Sequence, residues 1–298
     1  MQPRRHEGTK KNRSRVLLTS CLCAFVVSCG LWSASVHTQQ QLGASRTVLG
    51  TVVDNRNRPI VEFNPDDFVI REMGQPREIL SVRAADYPLA VVIDNGRASA
   101  ADVDAMQRAA ARFVGRVGLR PVSVAAAEPP RMLATFDDDR RAVLSKVEGL
   151  TVGQSGGNLF QAVAEAARVI QETGTPFATI VTMTAGTESA VPDDLLTPIL
   201  GSRAAIHAIV NQRLPPSSDG SVRALGTLRA LTEQTRGQFT PIYAAASYQV
   251  ALDHLADRLA TEVMVEYLVP PNSTTGNDVQ LGVRIPGARV NGLGVSAQ

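Results

Sequence analysis

The sequence predicts an α/β fold. A mainly parallel sheet is covered by helices on both faces, preceded by a small antiparallel β lead-in and followed by a C-terminal β pair. Three observations carry this. The run Leu89-Ala90-Val91-Val92-Ile93 is apolar throughout, as expected of a strand buried on both faces. From Tyr87 onward, short apolar runs alternate with segments of helical spacing, a pattern that implies parallel strands joined by right-handed crossovers. Before and after this region the chain reads as strands and turns without helices.

The elements follow in order. Residues 47–54 read as a strand, with Asn55-Arg56-Asn57-Arg58-Pro59 as its turn. Residues 68–72 and 78–82 flank Met73-Gly74-Gln75-Pro76 and predict a hairpin. Val103, Met106, Ala110, Phe113, Val114 and Val117 share one helical face. Residues 121–127 form a strand with 131–136 as an edge partner. Residues 138–148 are helical, with Asp137, Asp138 and Asp139 favourable at the positive end. Asn158 is expected to cap a helix that buries Val163, Ala166, Ala167 and Ile170. Strands at 177–183 and 204–210 alternate with helices at 193–202 and 221–235, the latter closed by Gly237. A short extended piece at 238–242 leads to a last helix at 247–260. Residues 262–269 and 279–285 are expected to pair around the loop 270–278, where Asn272-Ser273-Thr274 is a sequon in pattern.

The chain has 298 residues, 44% hydrophobic and 19% charged, ordinary for a globular protein with a substantial core. Its net charge of +2 is concentrated at the start. Arg4, Arg5, Lys10, Lys11, Arg13 and Arg15 face Glu7 alone within residues 1–36, so the remainder is slightly acidic. That excludes the basic patch of a nucleic-acid binder. The basic stretch precedes an apolar run at 16–28 and small residues, the layout of a secretory signal. Ser33-Ala34-Ser35 offers a cleavage site, Cys29 closes a lipobox-like Val26-Val27-Ser28, and an uncleaved membrane anchor is the third reading. The protein is therefore expected to be exported, whether periplasmic, at the cell surface or secreted, and to touch the membrane only through this leader. Cys21, Cys23 and Cys29 all lie in it, so the body can hold no disulfide, zinc-thiolate site or cysteine nucleophile. The expected organisation is a leader at 1–36, a linker at 37–46, the β lead-in at 47–85, the α/β domain at 86–261 and a C-terminal β extension at 262–298.

A family resemblance rests on several stretches in order. They are Val52-Val53-Asp54, Arg58-Pro59-Ile60, Asp66-Asp67-Phe68-Val69-Ile70-Arg71-Glu72, Gly74-Gln75-Pro76-Arg77-Glu78-Ile79, Pro88-Leu89-Ala90-Val91-Val92-Ile93-Asp94, Ser155-Gly156-Gly157-Asn158-Leu159-Phe160-Gln161-Ala162, Thr184-Ala185-Gly186 and Val265-Glu266-Tyr267-Leu268-Val269-Pro270. Together they resemble the von Willebrand factor A-related proteins of the secreted bacterial, acidobacterial type. The resemblance implies a Rossmann-like sheet whose carboxyl edge carries a metal-ion-dependent adhesion site. In metal-binding members that site uses Asp-x-Ser-x-Ser, a loop threonine and a loop aspartate around Mg²⁺. Here Asp94 keeps the first position, while Gly96 and Ala98 replace the serines, Asn158 the threonine and Ala185 the second acid. Ser99 and Glu188 stand nearby but out of register. A hard cation wants about six oxygens, so the adhesion site is degenerate. Asp94 is then expected to cap the Gly-rich loops by accepting backbone N–H bonds.

A second motif competes. Gly153-Gln154-Ser155-Gly156-Gly157 matches the nucleophile elbow of α/β-hydrolases, with His207 or His254 as base and Asp193 or Asp194 as the third member. The elbow requires a buried strand directly before the serine, and residues 147–152 read as a helix end and loop. No phosphate-binding Gly-x-x-x-x-Gly-Lys loop occurs.

The sequence thus predicts a non-enzymatic interaction module with no cofactor, contacting an unidentified protein through loops 94–99, 153–158 and 184–191. The expected contact face comprises Asp94, Asn95, Arg97, Ser99, Ser155, Asn158, Thr184 and Glu188. Mg²⁺ on Asp94 and Asn158 is the alternative, and a serine hydrolase at Ser155 the remote one.

Overall fold

The computed structural model describes residues 44–296 except 61, 97–98, 155, 157, 187–190, 214–217 and 272. The leader and its three cysteines lie outside the described residues. The α/β part is built from β5 (Leu89–Ile93), α1 (Ala100–Arg116), β6 (Val122–Ala127), β7 (Pro130–Ala134), α2 (Arg140–Glu148), α3 (Leu159–Glu172), β8 (Thr179–Thr184), α4 (Asp193–Gly201), β9 (Ala205–Asn211), α5 (Asp219–Gln234), β10 (Phe239–Ile242) and α6 (Ser247–Ala260). Four strands precede it: β1 (Ala44–Val53), β2 (Phe68–Glu72), β3 (Gln75–Arg77) and β4 (Ile79–Ala84). Three follow: β11 (Glu262–Val269), β12 (Val279–Val283) and β13 (Arg289–Val295).

The six-stranded sheet has the order β10-β9-β8-β5-β6-β7, and only the edge strand β7 runs antiparallel. Alternation along each strand divides the core into two layers. Leu89, Val91 and Ile93 pack with Met106, Phe113, Val147, Leu252 and their neighbours on α1, α2 and α6. Ala90 and Val92 face α3, α4 and α5, where Ala162, Ala166 and Ala167 allow close approach. All five residues of β5 are fully buried. At roughly 25 cal/mol per Å² of apolar surface removed from water, such double burial is the main stabilising contribution of the sheet. Ser99, Asp139 and Ser218 cap α1, α2 and α5 through their side chains, satisfying N–H groups left unpaired at a helix start.

The outer strands differ from the expected pairing. The hairpin turn is Met73-Gly74, and β2 pairs with the three-residue β3 rather than with the strand after it. β4 crosses to a different sheet and pairs with β11. β11 and β12 do not pair with each other. β11 lies between β1 and β4, while β12 adds to β2, giving sheets β13-β1-β11-β4 and β12-β2-β3. The two sheets enclose a core of Val48, Val52, Phe68, Ile70, Val265 and Tyr267. β1 begins at Ala44, three residues before the expected start, because Arg46 is required inside. Its guanidinium pairs with the fully buried Glu72, which also accepts from Arg77 Nε at 3.0 Å and Tyr267 Oη at 3.2 Å. β13 carries three residues with no bulky side chain, Gly292, Gly294 and Asn291, and its polar alternation hid it from the sequence reading.

Gly237 ends α5 for a steric reason. Its N–H bonds Thr232 O at 2.8 Å, and a Cβ there would lie 1.7 Å from the carbonyl oxygen of Ile206 on β9. Gly237→Ala is expected to destabilise the protein by about 3 kcal/mol, the upper range for overpacking, measured by denaturant unfolding.

Candidate functional site at the carboxyl edge

From β5 the chain winds outward to β6 and β7, then returns to place β8 on the other side of β5. The order reverses between β5 and β8, and the crevice at such a switch point is where ligands of open α/β sheets bind. Asp94 follows β5 and Thr184 ends β8. The Asp94 N–H continues the ladder to Met183 O at 2.9 Å. Its Oδ2 accepts from Thr184 Oγ1 at 2.6 Å and its Oδ1 from Gly96 N at 3.3 Å. The Thr184 hydroxyl in turn accepts from Gly186 N at 3.0 Å, and Thr184 O accepts from Tyr248 Oη at 2.7 Å. Of the backbone N–H bonds expected, the structure shows the one from Gly96 in the loop after β5, and it adds the Thr184 hydroxyl, which the sequence reading did not assign.

Asn95, 1% exposed, joins three loops. Its Nδ2 donates to Glu128 O at 2.7 Å and Thr151 O at 2.8 Å, its Oδ1 accepts from Glu128 N at 2.8 Å, and its carbonyl accepts from Gly153 N at 2.9 Å. Gly153 must be glycine for this approach: a Cβ would come within 2.3 Å of Glu128 Cγ and 3.3 Å of Gly96 Cα. Ser99 is exposed and its hydroxyl donates to Asp102 Oδ2 at 2.6 Å. Asn158 occupies the cap position of α3 but makes no side-chain cap bond, which corrects the capping expectation. With ψ at 56° its backbone is outside the extended conformation that aims a cap side chain at the helix N–H groups. Arg97, Ser155 and Glu188 lie outside the described residues.

Sequence reasoning missed a second buried carboxylate. Asp102, 4% exposed, accepts from Ser99 and from Asn211 Nδ2 at 3.2 Å, the latter at the end of β9. The spacing Ser99-x-x-Asp102 is the signature of a reciprocal helix cap and was the available signal. Tyr248, buried beside both acids, has its phenol pushed well above the ordinary range, first by burial and then by the charges of Asp102 and Asp94. The edge is thus a network in which neutral hydroxyl and amide donors meet the acids. Among the described residues, no three His, Cys, Asp or Glu side chains are grouped as metal ligands.

The hydrolase constellation lacks its framework. α2 ends at Glu148 and no strand occupies 149–154. His207 lies toward the amino edge, where it lines a cavity with Thr179 and Ala205 at the starts of β8 and β9. His254 and Asp194 are exposed on α6 and α4.

No protein-family model and no curated protein matches this sequence. Solved structures do match in shape. A von Willebrand factor type A protein from Catenulispora acidiphila aligns with 87% of this chain and 74% of its own, at TM-score 0.50 and 13% identity. The von Willebrand factor domain of a type V pili tip protein from Porphyromonas gingivalis aligns with 58% and 94%, at 0.47 and 12%. A pilus adhesin from Lactobacillus rhamnosus GG aligns with 79% and 48%, at 0.48 and 8%. The chain has a von Willebrand factor A-like fold, a mainly parallel Rossmann-like sheet between helices.

Two predictions follow from these side chains. Thr184→Val keeps the shape but removes the donor to a buried carboxylate, and is expected to cost about 2 kcal/mol in denaturant unfolding. Burial, helped by the charge of Arg258, pushes His207 down from 6.5 to about 3. Unfolded chains take up a proton near pH 6.5 that the folded protein refuses, so its contribution is complete above that pH and declines as pH falls toward 3. Thermal unfolding between about pH 7.5 and 5 should therefore show a steeper loss in wild type than in His207→Phe.

Proposed function

We propose that the protein is an exported, non-enzymatic interaction module that engages a protein partner at the carboxyl edge of its parallel sheet without a bridging metal ion. The observation that carries this reading is the internal commitment of Asp94, whose two oxygens take hydrogen bonds from Thr184 and Gly96. Magnesium demands near-octahedral oxygen ligands, and Gly96, Ala98 and Ala185 supply no side-chain oxygen at the positions where the fold's metal-binding members have them. The residues do not fit that ion.

Contact falls to side chains that face solvent around the network. Val152, Gln154 and Asn158 are exposed on the loop before α3, and Arg97 and Glu188 belong by sequence to the two adjoining loops. Asp94, Asn95 and Thr184 are buried and bonded within the chain, so they do not meet the partner themselves. A non-enzymatic role is supported by the absence of a strand before the Ser155 elbow, and export by the basic, then apolar, leader. No described helix is long and apolar enough to cross a membrane. The fold itself speaks for function only by analogy.

The test begins with crosslinking of the exported protein and mass spectrometry of what it captures. Against that partner, Gln154→Ala/Asn158→Ala and Arg97→Ala/Glu188→Ala should each weaken binding at least tenfold with unchanged thermal stability, and EDTA should change nothing. Unaltered affinity in both double variants would place the interface elsewhere, and loss of binding in EDTA restored by Mg²⁺ would return the cation.

A further inference from the structure

The amino edge of the six-stranded sheet holds a cavity of ≈ 620 Å³ that the proposed function does not use. It opens where the starts of β8 and β9 and the ends of α4, α5 and α6 meet β1 and β13 of the outer sheet. Its volume lies within the range of small-molecule sites. Phe177, Leu200 and Leu293 give it an apolar wall, and Arg203, Arg236 and Arg258 give it positive charge.

The state of these groups is informative. Arg203 is exposed at the rim, and its guanidinium has no hydrogen-bond or ion-pair partner among the described residues. Arg236 spends one nitrogen on Leu293 O and lies beside Phe177, since a Cβ on Gly294 would be 3.4 Å from Arg236 Nη1 and 3.5 Å from Phe177 Cε1. Arg258 donates to Gln238 Oε1 at 3.3 Å. The acid in the lining, Glu262, does not cancel them: it accepts from Arg120 Nη2 at 3.1 Å and from Tyr87 Oη. His207, 4% exposed, lines the cavity with its Nδ1 lacking any hydrogen-bond partner.

We propose that this cavity binds a small amphiphilic carboxylate, with its apolar body against Phe177, Leu200 and Leu293 and its carboxylate held by Arg203 and Arg236. A planar guanidinium fork suits a carboxylate. An apolar body is required because the wall would otherwise stay wetted.

The probe is decanoate, titrated calorimetrically into the full chain below its micelle concentration, beside decanol and inorganic phosphate. Saturable one-site binding of decanoate is expected, at least tenfold tighter than decanol, with no binding of phosphate. Arg203→Ala and Leu200→Asp, both at exposed positions, should each weaken it at least tenfold while thermal unfolding without ligand stays unchanged. Absence of saturable decanoate binding overturns the proposal. So does equal binding of decanol, equal binding of phosphate, or undiminished affinity in Arg203→Ala.

Discussion

The hydrogen bond between Thr184 and Asp94 joins the ends of the two strands that flank the reversal of the sheet. A carboxylate carried into a region 3% exposed is tolerable only when its oxygens are met by donors. The neighbouring hydroxyl and the Gly96 N–H do this from within the chain. Asn95 then binds the loops after β6 and α2 to the loop after β5, so these segments are held as one surface. The result is a rim whose buried layer is rigid and polar and whose outer layer, around Asn158 and Gln154, is exposed.

The opposite edge has a different character. There the strand starts meet a second β structure, and the junction is lined by Arg203, Arg236 and Arg258, the imidazole of His207 and the acid Glu262. Tyr87, Glu262 and Arg120 form a buried set between the two parts, with the Arg120 guanidinium 4.9 Å above the Tyr87 ring. Burial raises the Glu262 carboxyl and the Tyr87 phenol, against the opposing pull of the arginine.

Much of the α/β part was legible because its strands are short, apolar and separated by helices of clear period. β5 and α6 have the bounds the residues suggested. The outer strands were not, for a physical reason: alternation marks a strand but not its partner. The runs around Met73-Gly74 looked like one hairpin, yet the bonding capacity of β4 is satisfied by β11, some 180 residues later in register with Val82 opposite Val265. At the site, Asp94 was visible as an acid after an apolar run. Asn211 and Tyr248 were not, because their relation to Asp102 exists only once β9 and α6 are placed. Asn158 looked like a cap by type, and its backbone angles decide otherwise.

β1 lies between β11 and β13, and Arg46 in it reaches Ser296 O with Nε at 3.1 Å across a separation of 250 residues. No local neighbour can complete that sheet. β1 stays without its sheet partners until β11 and β13, which follow the whole α/β core in sequence, have been made. Contacts of such range form slowly, and a waiting strand edge is open to wrong partners. A chain of this design has reason to be shielded until β11 and β13 reach β1.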